Sequence, residues 1–211
     1  SIGRYDKKSI DFLLKELDSC KYFLDIGANM AFYSFVIAKN KTGIQSIAID
    51  PDPYNHTKFR RNLEINSELE QRVHFKNIAV GTKKEKLDLM LNTSGNRAGS
   101  SLCIDQREFT RKKNNETIEV EALSLSNILQ DFGIGKNVGW CAKFDIEGYE
   151  YPVINEFFSN SSDSVYPKAI VIEWTGRGIK SESGENSINL LERFGYKLVG
   201  KESCNYFFKK K

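Results

Sequence analysis

The sequence predicts an α/β fold: a mostly parallel sheet with helices on both faces, closed by an antiparallel C-terminal hairpin. Three observations carry that prediction. Five short strand-like runs, at 22–26, 45–50, 73–80, 140–146 and 168–174, are mostly separated by segments with helical spacing. A tight turn with one glycine, Gly27, follows the first run directly. The last stretch, YKLVGKES-CN-YFFKK, holds two aromatic and β-branched runs that meet at Ser203-Cys204-Asn205, with no helix between them.

Taken in order, residues 9–17 form a short amphipathic helix, and YFLDI at 22–26 is the first strand. A helix over 31–39 follows the glycine turn, and QSIAID at 45–50 is the second strand. Phe59, Leu63 and Asn66 recur at helical intervals within 54–66, and VHFKNIAV at 73–80 is the third strand. WCAKFDI at 140–146 and KAIVIEW at 168–174 supply the fourth and fifth, with helices over 149–158 and 185–194. Residues 84–123 break this rhythm. KEKLDLMLN and TIEVEAL alternate like half-exposed strands, and the polar stretch between them, 93–115, reads as a lid or substrate loop, or else as a surface excursion. With no repeat and no second core-sized segment, residues 1–211 are expected to form one domain.

The 211 residues are 40% hydrophobic and 28% charged, which suits one soluble core. The net charge of +3 is too small to imply a polyanionic partner, and the short basic clusters are interleaved with acids or sit at an end. Cys20, Cys103, Cys141 and Cys204 lie far apart without zinc spacing, so a reducing, cytoplasmic location is expected. No apolar run reaches the ~18 residues that span a bilayer, and no charged-then-apolar leader opens the chain.

The turn FLDIGANMAFYS, residues 23–34, sits where open parallel sheets bind ligands, beyond the carboxyl end of the first strand. Gly27 permits a close backbone approach, and the amides opening the next helix can receive an anion. A dinucleotide turn would need glycines where Asn29 and Phe32 stand, which disfavours a nicotinamide cofactor. Asp25-x-Gly27-x-Asn29 is instead a variant of the acid-x-glycine-x-glycine turn of S-adenosylmethionine-dependent methyltransferases, with Asp25 orienting the cofactor's ammonium or its water shell.

Asp50 ends the second strand, where a carboxylate can accept both ribose hydroxyl hydrogens; Asp52 is the better helix N-cap. Asp52-Pro53-Tyr54 looks like part of a catalytic motif of base amino-group methyltransferases, but it stands after the wrong strand and reads as a turn and helix start. KFDIEGYE, residues 143–150, brings Lys143, Asp145, Glu147 and Glu150 around Gly148. Asp145 and Glu173, ending adjacent strands, can share a pocket and raise each other's pKa. The competing reading pairs Lys143 with Glu147 or Glu150 on the surface.

FLDIGANMAFYS, AIDPDPYNHTKFRRNLEIN, NIAVGTKKEKLDL, GSSL, VEALSLSNIL, KFDIEGYEYPVI, IVIEW and RFGYKL occur in an order that resembles the FkbM-type methyltransferase family over nearly the whole chain. The resemblance implies a Rossmann-like methyltransferase fold with a seven-stranded sheet, S-adenosylmethionine as cofactor, and hydroxyls of sugars or secondary metabolites as acceptors. It implies that Asp25, Gly27, Ala28 and Asn29 form the cofactor turn, that Asp50 takes the acidic ribose position, and that Asp145, Glu147, Gly148 and Glu150 are the strand-four signature. The chain departs from the family at Ala31, usually glycine, at Asp50, usually glutamate, and at Ser126, usually aspartate. The methyl of Ala31, set at a helix start, is expected to be tolerated.

The expected chemistry is in-line methyl transfer to a hydroxyl whose proton a carboxylate removes, Asp145 first, Glu147 second, Glu173 third. His56, in the helix after the second strand, and His74, near the start of the third, are not well placed to take that proton. Asp145 also borders the methyl donor. A metal held by Asp145 and Glu173 is an alternative, but two acids are too few to define a metal site and no metal ligand is assigned. The acceptor is a small-molecule or glycan hydroxyl, with RNA methylation or a catalytically silent binding domain as alternatives; oligomeric state is left open.

Overall fold

The computed structural model describes residues 6–92, 100–102, 116–176 and 178–211. Five parallel strands form the centre of the main sheet: β1 (Tyr22–Ile26), β2 (Gln45–Ile49), β3 (Val73–Lys76), β8 (Trp140–Phe144) and β9 (Ala169–Glu173). The terminal hairpin, β10 (Tyr196–Glu202) and β11 (Asn205–Lys210), joins antiparallel to β9. The seven-stranded order is β10-β11-β9-β8-β1-β2-β3. Strand order therefore reverses between β1 and β8, and the crevice of such sheets opens at that point.

Helices cover both faces because the central strands are apolar on both sides. On one face, α1 (Lys7–Glu16) and α2 (Phe32–Asn40) bury Leu13 and Ile37 against Phe23, Val171 and Phe207. On the same side α3 (Pro53–Ile65) packs Phe59 against Ala38, Leu69 and Val73. Asp52 caps α3, accepting from the Tyr54 amide at 2.9 Å with Pro53 as first helical residue, so this stretch is a turn and helix start as expected. On the other face, α4 (Leu125–Asp131), α5 (Glu150–Asn160) and α6 (Ser187–Arg193) pack Ile128, Phe157 and Leu190 around Trp140 and Phe144. The α4 helix was not among the expected ones. Its start is marked by Ser124, whose hydroxyl accepts from the Asn127 amide at 3.3 Å.

The run 73–80 is not one strand. The chain leaves the main sheet after Lys76, and β4 (Ala79–Gly81) enters a second sheet with β5 (Glu85–Leu91), β6 (Ser101–Leu102) and β7 (Glu116–Ser124), ordered β4-β7-β5-β6. The break falls at Asn77, whose side-chain amide donates to the Asp50 carbonyl at 2.9 Å. This small sheet buries Leu89, Leu91, Leu102, Val120 and Ala122 and walls one side of the crevice. The expected lid falls on 93–115, of which 93–99 and 103–115 lie outside the described residues. No helix among the described residues is long and apolar enough to cross a membrane.

Candidate active site

Two-residue periodicity places the charged groups. In-register neighbours of a parallel sheet point to the same face. Asp25 on β1 pairs with Lys143 on β8, and Lys143 with Val171 on β9. Two residues further on, Asp145 and Glu173 stand on that same face at the carboxyl ends of their strands. A cavity of about 500 Å³ opens there, lined among others by Asp25, Gly27, Asn29, Asp50, Asp145 and Glu173. Its size falls within the range of small-molecule sites.

Gly27 has φ +79°, and a Cβ placed on it would stand 1.8 Å from the Asp145 carbonyl oxygen. The glycine is thus required first by the close approach of this turn to the end of β8. The amides around the turn are committed within the protein. Those of Gly27 and Ala28 donate to Ile49 O at 2.9 and 3.0 Å, that of Asn29 to Asp50 Oδ2 at 2.9 Å, and that of Ser34 to Asp25 Oδ2 at 3.1 Å. These four amides are therefore not offered to an anion, and of them Ser34 alone belongs to the start of α2.

Asp25, buried, also accepts from the Ser34 hydroxyl at 2.9 Å. It thereby caps the first turn of α2, and burial raises its pKa against the opposing pull of Lys143 and Ser34. Ala31 does not sit inside the helix. It holds the N-cap position at φ 65°, the left-handed region that glycine adopts freely, so its methyl carries backbone strain of about 1–2 kcal/mol. Asp50 is pushed up to about 6 by burial, despite bonds from Asn55, Asp52 and Asn29. Its Oδ1 already accepts from the Asp52 amide and the Asn55 side chain, both at 2.9 Å. With Oδ2 receiving Asn29, the expected grip on two hydroxyls narrows to the remaining place on Oδ2.

At the other end, the Asp145, Glu147 and Glu173 carboxyl oxygens lie within 4.8 Å of one another. Lys143 is buried and pairs with Asp145, Nζ to Oδ2 at 2.5 Å, rather than with Glu147 or Glu150 on the surface. The ammonium also lies 4.9 Å from the centre of the Tyr33 ring. Burial would raise Asp145, but the Lys143 charge and hydrogen bond outweigh it and hold the carboxyl below its ordinary value. Glu173 behaves oppositely, raised to about 7 by burial and by the Asp145 charge. The Cys204 thiol, at the turn of the terminal hairpin, donates to Glu173 Oε1 at 3.1 Å. Glu147 is exposed, at φ 54°. Glu150 is buried and accepts from the amides of Ile146 and Gly148 at 3.0 and 3.2 Å, fixing the loop.

Sequence reasoning missed Cys204 and the inward direction of Lys143. The second was readable, since Lys143 and Asp145 alternate onto one face; the first needed the pairing of Asn205 with Glu173. His56 stacks on Phe75 and His74 bonds Gln45 at 2.8 Å, both on the β2–β3 side of the sheet.

A seven-stranded sheet with a reversed terminal hairpin and its crevice at the β1–β8 switch point is the Rossmann-like methyltransferase fold. The methyltransferase FkbM domain matches residues 25–198, and the chain belongs to that family. The fold is similar to that of methyltransferase FkbM from Methylobacillus flagellatus KT, at a TM-score of 0.53 and 11% identity over 90% of this chain and 44% of that one. WbdD is similar at 0.53 and 12% identity, covering 98% of this chain and 41% of that one. An O-methyltransferase family protein from Burkholderia thailandensis gives 0.50 and 9%, covering 99% and 57%. The chain thus spans about half the length of these proteins or less. No curated protein sequence matches significantly.

Proposed function

We propose that the protein transfers a methyl group from S-adenosylmethionine to a hydroxyl of a sugar or small metabolite, with Glu173 as general base. The observation that carries this reading is the single cavity joining the Gly27 turn and Asp50 at one end to the Asp145–Glu173 pair at the other. The residues suit this cofactor: a turn without a pyrophosphate cradle, a carboxylate at Asp50 with room for one hydroxyl, and an acidic lining. S-adenosylmethionine, when bound, supplies a methyl group on a positively charged sulfur.

The chain's own work is positioning and proton removal. Among the described residues lining the cavity, seven are carboxylates and one, Lys143, is basic. Such a lining attracts a cationic donor and repels a phosphodiester backbone, which favours a small neutral acceptor over RNA. Glu173, half-ionised near neutrality, can accept the hydroxyl proton, whereas Asp145, held as a carboxylate by Lys143, is a weak base. This inverts the order read from the sequence.

Calorimetry with S-adenosylmethionine and S-adenosylhomocysteine tests the cofactor, and labelled methyl transfer to glycans, small hydroxy metabolites and RNA tests the acceptor. Binding of neither cofactor form would overturn the assignment. Methyl transfer to RNA with steep salt dependence would overturn the acceptor class, and cofactor binding without transfer to any acceptor would indicate a silent domain.

A further inference from the structure

Lys143 raises a question that cofactor binding does not answer. Lysine is almost never fully buried unless paired, and an ion pair set inside a sheet is often replaceable by apolar residues at no cost in stability. Its ammonium nonetheless lies between two carboxylates of different rows: Asp25, its register partner, and Asp145, 2.5 Å from Nζ. Asp145 in turn lies within 4.8 Å of Glu173, which has the exposed Glu147 at the same range and the neutral Cys204 thiol as hydrogen-bond donor.

Two carboxyl groups this close cannot both ionise cheaply away from bulk water, so one of them keeps a proton near neutral pH. Which one keeps it depends on the asymmetry of their surroundings. We propose that Lys143 is a positioning residue that supplies this asymmetry: its ammonium keeps Asp145 a fixed carboxylate and leaves Glu173 as the group that exchanges a proton with the acceptor. The proposal rests on the methyl-transfer reading above. Among the described residues, the charged and titratable groups facing the pair are Lys143 on β8, Asp25 on β1, Glu147 in the loop after β8 and Cys204 in the hairpin turn, with Lys143 the cation of that set. Its own pKa is raised: burial pulls it down, but Asp145 and Asp25 more than compensate, so the ammonium stays charged throughout the working range.

The test compares the wild type, Lys143→Met, and the double variant Lys143→Met/Asp145→Asn, which removes both charges should the single variant fold poorly. Removing an opposite charge at this range raises a carboxyl pKa by about 1–3. The acid limb of the turnover–pH profile in Lys143→Met is therefore expected about one pH unit or more higher, with the double variant returning to the wild-type position or below. Carbon-13 carboxyl shifts report the same protons without any acceptor: in the wild type, Glu173 titrates near neutrality and Asp145 only in acid. A folded Lys143→Met with an unmoved limb, or a wild-type Asp145 that titrates near neutrality, would overturn the proposal. Failure of methyl transfer with every acceptor would count against the proposed function alone, because the carboxyl titration still decides the role of Lys143.

Discussion

Gly27 and Asp145 meet backbone to backbone: a Cβ on Gly27 would lie 1.8 Å from the Asp145 carbonyl oxygen. The Gly27 turn and the acidic loop are therefore one mechanical unit, and a change in either moves both. Gly27→Ala combines this overlap with a left-handed φ that costs a non-glycine residue about 1–2 kcal/mol. The expected result is a melting temperature lower by roughly 5 °C or more, together with loss of S-adenosylhomocysteine binding in calorimetry. Unchanged melting and binding would show that the turn can shift independently of β8.

Glu173 links activity and stability with opposite signs. Its folded pKa of about 7 is raised above the ordinary glutamate value by burial and then by Asp145. As the proposed base Glu173 must be ionised, so turnover should rise with pH and reach half its maximum near 7. A raised carboxyl pKa contributes stability that is complete below the ordinary glutamate value and lost as pH rises through 7. Glu173→Gln should therefore lower turnover by about 10²–10⁴-fold, leave S-adenosylhomocysteine affinity unchanged, and melt higher than the wild type at pH 8 but not at pH 4. Retained turnover would return the base role to another acid.

The parts of the site that follow from strand alternation were legible in the sequence. YFLDI, WCAKFDI and AIVIEW each put a carboxylate at a strand end, and the parallel order brings them together. Alternation puts Lys143 and Asp145 on one face but does not say that α1 and α2 cover it, which is why the surface pairing of Lys143 with Glu147 or Glu150 stood as the competing reading. The break at Asn77 carries no glycine or proline, and its one mark in the sequence is the slip of alternation at Lys76-Asn77. The left-handed backbone at Ala31 had one signal, the glycine that the resembled family usually carries there; the conformation itself goes with the turn between Asp25 and Ser34.

Asp50, as the proposed ribose contact, is expected to make cofactor affinity sensitive to pH in the acid range. Its carboxylate receives Asn29, Asp52 and Asn55, yet burial still sets it at about 6. If a ribose hydroxyl donates to Oδ2, binding favours the ionised form, and S-adenosylhomocysteine should bind about tenfold more weakly at pH 5 than at pH 7. Asp50→Ala should abolish that dependence, weaken binding, and destabilise the fold, since each buried donor left unpaired costs about 1–3 kcal/mol. A flat affinity between pH 5 and 7 in the wild type would place the ribose elsewhere.

Glu202 joins the two ends of the described chain. Its carboxylate accepts from the amides of Lys8 and Ser9 at 3.1 and 2.8 Å and from the Ser9 hydroxyl at 2.9 Å, capping α1 from the terminal hairpin. Burial works against the charge, but these bonds prevail and the pKa is lowered. A lowered carboxyl pKa contributes stability that is present above the ordinary glutamate value and lost as pH falls through the folded one. Glu202→Ala should thus cost about 1 kcal/mol, roughly 2–4 °C in melting temperature, at pH 7, with wild type and variant converging in acid. Asp6, immediately before α1, lines the cavity, so the loosened helix should also raise KM for the acceptor while leaving S-adenosylhomocysteine affinity intact. An equal loss of cofactor affinity would instead place α1 against the cofactor end of the cavity.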